Sequence, residues 1–254
     1  MNPTLNGLRI LNTRPKEQGK MLSQLITEAG GVSIDYPTLE IKEFNPNWVR
    51  DLPDLNKVDH ALFISANAVH YCFNQLHQHK IQWPKHIHIT VIGQGTEKAL
   101  EQFELKADDI PPISNSEHLL ALPSMQQLKN KTVLLFKGLG GRTLIEEGLK
   151  KKGAKLFLFA VYQRIMPVLD QQFTTRLWQD DGLDIILLTS EQSIHHLFKL
   201  FSREAHNWLK DKPCLVLSER LAEAASLLGM KKIKTSHPNR IIDTLFDYKD
   251  SIHG

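Results

Sequence analysis

The chain is poor in several things that would have marked a particular chemistry. It holds two cysteines in 254 residues, Cys72 and Cys214. Each stands among apolar neighbours, in HYCFNQL and PCLVL, and no CxxC occurs. The pair therefore reads as two reduced core thiols, which argues against a disulfide framework, a redox motif or a thiolate zinc site. No apolar run approaches the ~20 residues that a membrane span requires. The opening MNPTLNGLRILNTRP lacks a charged segment followed by an apolar stretch, so no secretory signal is expected and the expected location is the cytoplasm. Net charge is only +3, and the longest basic run, KKK at 150–152, suits the solvated end of a helix. Neither feature argues for nucleic acid or a membrane as partner. A mildly basic surface suits an anionic small molecule.

The nucleotide and metal motifs are missing too. Gly93-Gln94-Gly95 has Lys98 where a dinucleotide fingerprint places its third glycine, and the Gly138–Thr143 loop does not end in GK[ST]. Among twelve histidines, none has the HExxH spacing, and neither cysteine lies near one in sequence except through His70. His77 and His79, His86 and His88, and His195 and His196 therefore read as structural or surface residues. Asp108-Asp109 and Asp180-Asp181 read as loops, and no Ser-His-Asp arrangement stands out.

What is present is alternation. Leu8–Asn12, Ala61–Ile64, Ile87–Ile92, Thr132–Phe136, Ile185–Leu188 and Leu215–Leu217 are short apolar runs, each followed by a small or polar residue and then a helical pattern. Such alternation predicts βαβ units and parallel sheets covered by helices on both faces. The two halves also echo each other. LRILNTRPKEQGKMLSQLITEAGG resembles TVLLFKGLGGRTLIEEGLKKKGA, ALFISANAVHYCF resembles ILLTSEQSIHHLF, and ITVIGQGTEKAL resembles CLVLSERLAEAA, all at an offset of about 124 residues. Three echoes in order imply an internal duplication and two similar α/β domains. Two extended stretches, Tyr36–Lys42 and Phe159–Pro167, fit no strand-helix unit and read as linkers able to pair with one another.

In open parallel sheets, ligands bind beyond the carboxyl ends of the strands. The residues there are Thr13-Arg14-Pro15, Ser65-Ala66-Asn67, Gly93 to Thr96, Lys137 to Arg142, Thr189-Ser190 and Ser218 to Arg220. Small and hydroxyl residues opening helices cap them, and the exposed N–H groups also favour anions, by roughly 0.3–1 kcal/mol per helix end. Six such openings suit a ligand that carries many carboxylates.

These pieces together resemble the uroporphyrinogen-III synthases over nearly the whole chain. The resemblance rests on Thr13-Arg14-Pro15, FISANAV at 63–69, VIGQGTEKAL at 91–100, Lys137-Gly138 through Arg142, VYQR at 161–164, LLTSEQSI at 187–194 and SERLAEAASLLG at 218–229. It implies two flavodoxin-like parallel-sheet α/β domains joined by a two-stranded extended linker. Residues 1–36 and 167–254 would form a discontinuous domain and 41–160 an inserted one, with linkers about 36–42 and 159–167 and the active site in the cleft between the domains. It implies a lyase that closes hydroxymethylbilane with loss of water and inversion of the terminal pyrrole ring, without metal or organic cofactor. It implies a monomer in contact with the preceding pathway enzyme only transiently. Tyr162 would stand near the leaving hydroxyl, where a phenol can donate a proton or a hydrogen bond; its other reading is a packing residue at the hinge. Arg14, Ser65, Asn67, Thr96, Lys137, Gly138, Arg142, Thr189, Ser190 and Ser218 would bind substrate. Leu221 stands where some members of the family carry a second threonine. The competing readings are a non-enzymatic two-domain binding protein for an acidic metabolite and a nucleotide enzyme on the same scaffold.

Overall fold

A computed structural model of the chain describes residues 4–141 and 143–253. The elements run β1 (Arg9–Asn12), α1 (Lys16–Glu28), β2 (Val32–Asp35), β3 (Glu40–Glu43), β4 (His60–Phe63), α2 (Ala66–Gln78), β5 (His88–Val91), α3 (Gln94–Glu101) and α4 (Ser116–Ala121). They continue with β6 (Thr132–Gly138), α5 (Leu144–Lys151), β7 (Lys155–Ile165), α6 (Gln171–Gln179), β8 (Ile185–Leu188), α7 (Glu191–Leu200), α8 (His206–Asp211), β9 (Pro213–Val216), α9 (Glu219–Leu227), β10 (Lys232–Thr235) and α10 (Ile241–His253). By contacts the chain forms two compact units. The first runs to Glu40 and resumes at Ile165; the second is Ile41–Arg164.

Each unit holds one five-stranded sheet. The first has the order β10-β9-β8-β1-β2 and the second β3-β7-β6-β4-β5. The duplicated segments occupy corresponding places in them. In the first sheet Ile10 pairs with Ile185 and Ile186 with Cys214. In the second, Leu134 pairs with Ala61 and Leu62 with Thr90. A shift of about 124 residues converts one set of pairs into the other, so the repeat preserves strand register as well as composition. The second sheet reaches this order in a permuted sequence: β6 and β7 stand where β1 and β2 stand in the first, yet they come last in their unit.

The sheets form because their central strands are apolar on both faces. Ala61, Phe63, Leu134 and Phe136 enter one core of the second unit, and Leu62, Val133 and Leu135 enter the core on the opposite face. In the first unit Leu11, Ile186, Leu188, Cys214 and Val216 face one way, and Ile10, Ile185, Leu187 and Leu215 the other. This is the period of two that a pleated strand imposes, with helices supplying the second layer on each side. Burying each large side chain contributes roughly 1.5–3 kcal/mol. One core of the second unit is largely aromatic: Phe63 stacks on Phe136 at 4.8 Å, and Phe136 on Phe159 at 5.3 Å.

Two expectations change in detail. The stretch 159–167, read as a linker, is for the most part the second half of β7, a full member of the sheet; of 36–42, only the last residues belong to a strand, β3, which neighbours β7. The edge strands β2 (VSID) and β10 (KIKT) carry no apolar alternation, having the burial order exposed, intermediate, intermediate, exposed.

Candidate active site

Each unit gathers its candidate residues at the carboxyl ends of its strands. In the first unit Arg14 follows β1, Thr189 and Ser190 follow β8, and Ser218 follows β9. In the second, Ser65 follows β4, with Asn67 in the first turn of α2. Thr96 lies in the first turn of α3, and Lys137 and Gly138 end β6. Arg142 lies outside the described residues.

Three of the serines have a local task. The Ser65 hydroxyl accepts the Ala68 N–H at 3.1 Å, that of Ser190 accepts the Ser193 N–H at 3.1 Å, and that of Ser218 accepts the Leu221 N–H at 3.4 Å. Ser190 and Ser193 complete a reciprocal capping box. Each cap uses one lone pair of its hydroxyl; the Ser190 hydroxyl also lies 2.9 Å from the Ser193 Oγ and the Ser65 hydroxyl 3.1 Å from the Tyr162 hydroxyl. Arg14 is half-buried and makes no ion pair among the described residues; burial pushes its guanidinium down from its ordinary value. It lines a concavity of about 200 Å³ with Asn12, Lys16, Gly19, Asp35 and Pro37. Thr96 is buried at 4% exposure, while Asn67 and Thr189 are half-buried. Lys137 is occupied: its ammonium lies 2.5 Å from Glu146 of α5, both side chains being nearly enclosed.

The most elaborate assembly surrounds Tyr162. The β6–β7 register slips between Lys137 and Gly138. Lys137 pairs with Ala160 but Gly138 pairs with Tyr162, leaving Val161 as the extra residue of a bulge. Bulges re-aim side chains at the ends of sheets. Gly138 is required here, since a Cβ on it would lie 2.6 Å from the Tyr162 Cζ and 3.0 Å from its hydroxyl. The Leu139 N–H donates to the Tyr162 carbonyl at 2.7 Å and pins the turn. The phenol oxygen lies 3.1 Å from the Ser65 Oγ, and the Arg164 Nη2 donates to it at 3.2 Å. The Tyr71 ring of α2 stacks at 6.0 Å, and the Arg164 guanidinium sits 5.5 Å from the Tyr162 ring centre. Tyr162 is 2% exposed, whereas Arg164 is exposed.

Sequence reasoning placed Tyr162, Ser65 and Gly138 on its list but not in contact. It missed Tyr71 and Arg164. A signal for Arg164 was present, because residues two apart on a strand share a face.

Other chemistry finds little footing. Burial pushes the Cys72 thiol up and the Cys214 thiol up to about 12, so both stay protonated and weakly nucleophilic. No group of three or more His, Cys, Asp or Glu is placed to hold a metal ion among the described residues. No described helix is long and apolar enough to cross a membrane.

Comparisons with known proteins agree with one another. The family described as uroporphyrinogen-III synthase HemD matches residues 20–242. Uroporphyrinogen-III synthase of Escherichia coli is 31% identical over 233 residues, covering 90% of this chain and 95% of its own length. That of Salmonella typhimurium is 30% identical, covering 90% and 95%. Among solved structures, a mutant uroporphyrinogen III synthase from Thermus thermophilus aligns with a TM-score of 0.63 at 15% identity, over 97% of this chain and 99% of that one. The Helicobacter pylori uroporphyrinogen-III synthetase aligns with a TM-score of 0.61 at 14% identity, over 97% and 99%.

Proposed function

Since the chain belongs to the uroporphyrinogen-III synthase family, a family of lyases, we propose that Tyr162 is the proton donor of its ring-closing reaction. The enzyme acts on a polypyrrole, hydroxymethylbilane, and closes it with loss of water and inversion of the terminal ring. The observation that carries the assignment is the Tyr162 hydroxyl held between Ser65 and Arg164 beside a glycine-lined bulge.

The chemistry asks for one proton and much positioning. The C–O bond of the terminal hydroxymethyl group breaks, and its electron pair goes to oxygen, which takes the phenol proton and departs as water. The adjoining pyrrole nitrogen supplies electrons to the exposed carbon, giving an azafulvene-type electrophile. The terminal ring attacks it through its substituted α-carbon. The spirocyclic pyrrolenine so formed fragments and recloses, and the proton shed as the ring system regains aromaticity returns to the phenolate. Closure without the enzyme also occurs, without inversion, so the protein's larger task is to hold the two ends of the chain together. Positioning of that kind contributes up to roughly 7–11 kcal/mol.

The carboxylates of the substrate suit the remaining residues. Arg14, a half-buried cation with no acid partner among the described residues, fits a carboxylate in the bidentate manner of a guanidinium. Ser65, Asn67, Thr96, Thr189, Ser190 and Ser218 offer hydroxyls, an amide and the free N–H groups of helix starts. Lys137 and Gly138 serve by supporting the bulge, one tied to Glu146 and the other making room for the Tyr162 ring. Leu221, buried at 5% exposure, contributes no hydroxyl, and Ser218 takes that place. The stretches at about 36–42 and 159–167, which run into β3 and through β7, would carry the chain between a discontinuous domain and an inserted one. The protein would work in the cytoplasm as a monomer, in transient contact with the enzyme that makes its substrate, and without nucleic acid, membrane or cofactor.

The test is Tyr162→Phe. Turnover should fall about 10²–10⁴-fold, the usual worth of a positioned acid, with the product still the inverted isomer. A single-turnover assay with both isomers resolved checks it. An unchanged rate reduces Tyr162 to packing, and a slower reaction giving the uninverted isomer assigns it to shaping the substrate.

A further inference from the structure

Arg164 belongs to no role described so far. Its guanidinium has five N–H donors, of which one is used on Tyr162. It makes no ion pair among the described residues, and it is exposed beside a phenol that is 2% exposed. Of the groups around the phenol oxygen, Ser65 is held by its cap bond to the Ala68 N–H and Gly138 is backbone. Arg164 alone is both long and accessible.

The hydrogen bonds also orient the phenol proton. Arg164 can only donate, so it fills one lone pair of the phenol oxygen. The Ser65 oxygen already accepts the Ala68 N–H, which leaves its own proton free for the phenol's second lone pair. The Ser65–Tyr162 bond can run either way; when Ser65 donates, both phenol lone pairs are filled and the phenol proton points away from Ser65 and Arg164, toward a third group.

We propose that Arg164 is a positioning residue that couples substrate to acid: one N–H stays on the Tyr162 oxygen while the others grip a carboxylate of the bound polypyrrole. The grip brings the leaving hydroxyl to the phenol proton. The donated N–H also stabilises the phenolate formed when that proton leaves with water. This inference rests on Tyr162 being the acid.

The experiment measures kcat and KM with hydroxymethylbilane for Arg164→Ala and Arg164→Lys, each in the parent chain and in the Tyr162→Phe chain. Arg164→Ala should raise KM about tenfold in both backgrounds, the worth of a charge-assisted grip. It should lower kcat about tenfold in the parent chain and not at all in the Tyr162→Phe chain, because coupled residues are not additive. Arg164→Lys should hold KM within about threefold and lose kcat as alanine does, since a shorter side chain with all its donors on one atom cannot reproduce the reach and planar fork of a guanidinium. It also covers the case in which the alanine chain fails to fold. An equal kcat loss in both backgrounds overturns the proposal, and so does an unchanged KM or a parent-level kcat in the lysine chain. A Tyr162→Phe chain that turns over at the parent rate overturns the acid assignment instead, a separate result read from a separate variant.

Discussion

The two units share a scaffold to the level of strand register, yet they treat a tyrosine near the end of equivalent strands in opposite ways. In the first unit the β1–β2 pairing is regular and stops at Asn12 and Asp35. The next residue, Tyr36, turns into the core at 0% exposure, with its hydroxyl 3.0 Å from the Thr174 Oγ1. Burial pushes its pKa up to about 12, so it keeps its proton and acts as a core residue. In the second unit β7 runs on for 11 residues through a bulge. Tyr162 ends up at the strand ends against a serine and an arginine. A duplicated frame thus supplies two similar platforms, and a bulge beside a glycine separates a tyrosine bonded to a threonine from one bonded to a serine and an arginine.

The comparison breaks most sharply at Gly138. A Cβ there would press on the Tyr162 ring at 2.6 Å, and misplacing a reacting group by about 1 Å can cost on the order of 10²-fold in rate. Gly138→Ala should therefore lower turnover about 10²-fold and destabilise the second unit by about 1–3 kcal/mol, read by steady-state assay and urea denaturation. The corresponding strand end of the first unit carries Arg14, which is not among the residues with positive φ. A fully active Gly138→Ala chain would show that the bulge does not set the site.

The caps sharpen the contrast at smaller scale. Ser65→Ala and Ser190→Ala should each cost about 1 kcal/mol of stability, giving similar shifts in melting temperature. Ser65→Ala should also lower kcat several-fold, because Ser65 touches Tyr162, whereas Ser190→Ala should raise KM modestly and leave kcat alone. Equal kinetic effects would place the two strand ends on the same footing. Tyr36→Phe is the mirror of the Tyr162 test. It should cost about 0.5–1.5 kcal/mol for one lost buried hydrogen bond and leave kcat unchanged, since Thr174 retains the Asp170 carbonyl as partner.

The smallest effect is in pH. Burial, aided by the nearby His88, lowers the pKa of His60, and burial lowers that of His70; both are in the second unit. An unfolded histidine takes its proton near ~6.5. The stability that these two confer is therefore intact above that pH and is lost as pH falls below it. In the first unit, burial pushes the Asp184 carboxyl up, but hydrogen bonds from Arg9 bring it below its ordinary value. That contribution is lost only as pH falls below about 4. The tryptophans report each unit separately, Trp48 and Trp83 in the second and Trp178 and Trp208 in the first. Between pH 7 and 5 the urea midpoint seen by Trp48 and Trp83 should drop while that seen by Trp178 and Trp208 holds, measured in chains with the other pair changed to Phe. A common shift would mean that the units unfold as one.

Much of the frame was legible in the chain alone. The central strands declared themselves because both of their faces are buried, so that runs such as LLF and IILL leave no other use for their residues. The duplication was visible because register depends on apolar pattern, and the pattern survived in both halves. The edge strands β2 and β10 were silent, since VSID and KIKT have one face half in solvent and little apolar signal to offer. The first half of β7, KLFL, was missed although it is apolar; its residues run exposed, half-buried, half-buried, exposed, so they follow no period of two. Tyr162 could be named from its motif, but not its company. Ser65 is 97 residues away, and the contact depends on where a bulge falls between two strands. Sequence by itself determined which segments must be strands and that they come in two equivalent sets, because burial is a local demand on each residue. Only the tertiary structure decided which tyrosine meets a serine and an arginine, because one unpaired residue in a ladder shifts a side chain's direction without leaving a periodic trace.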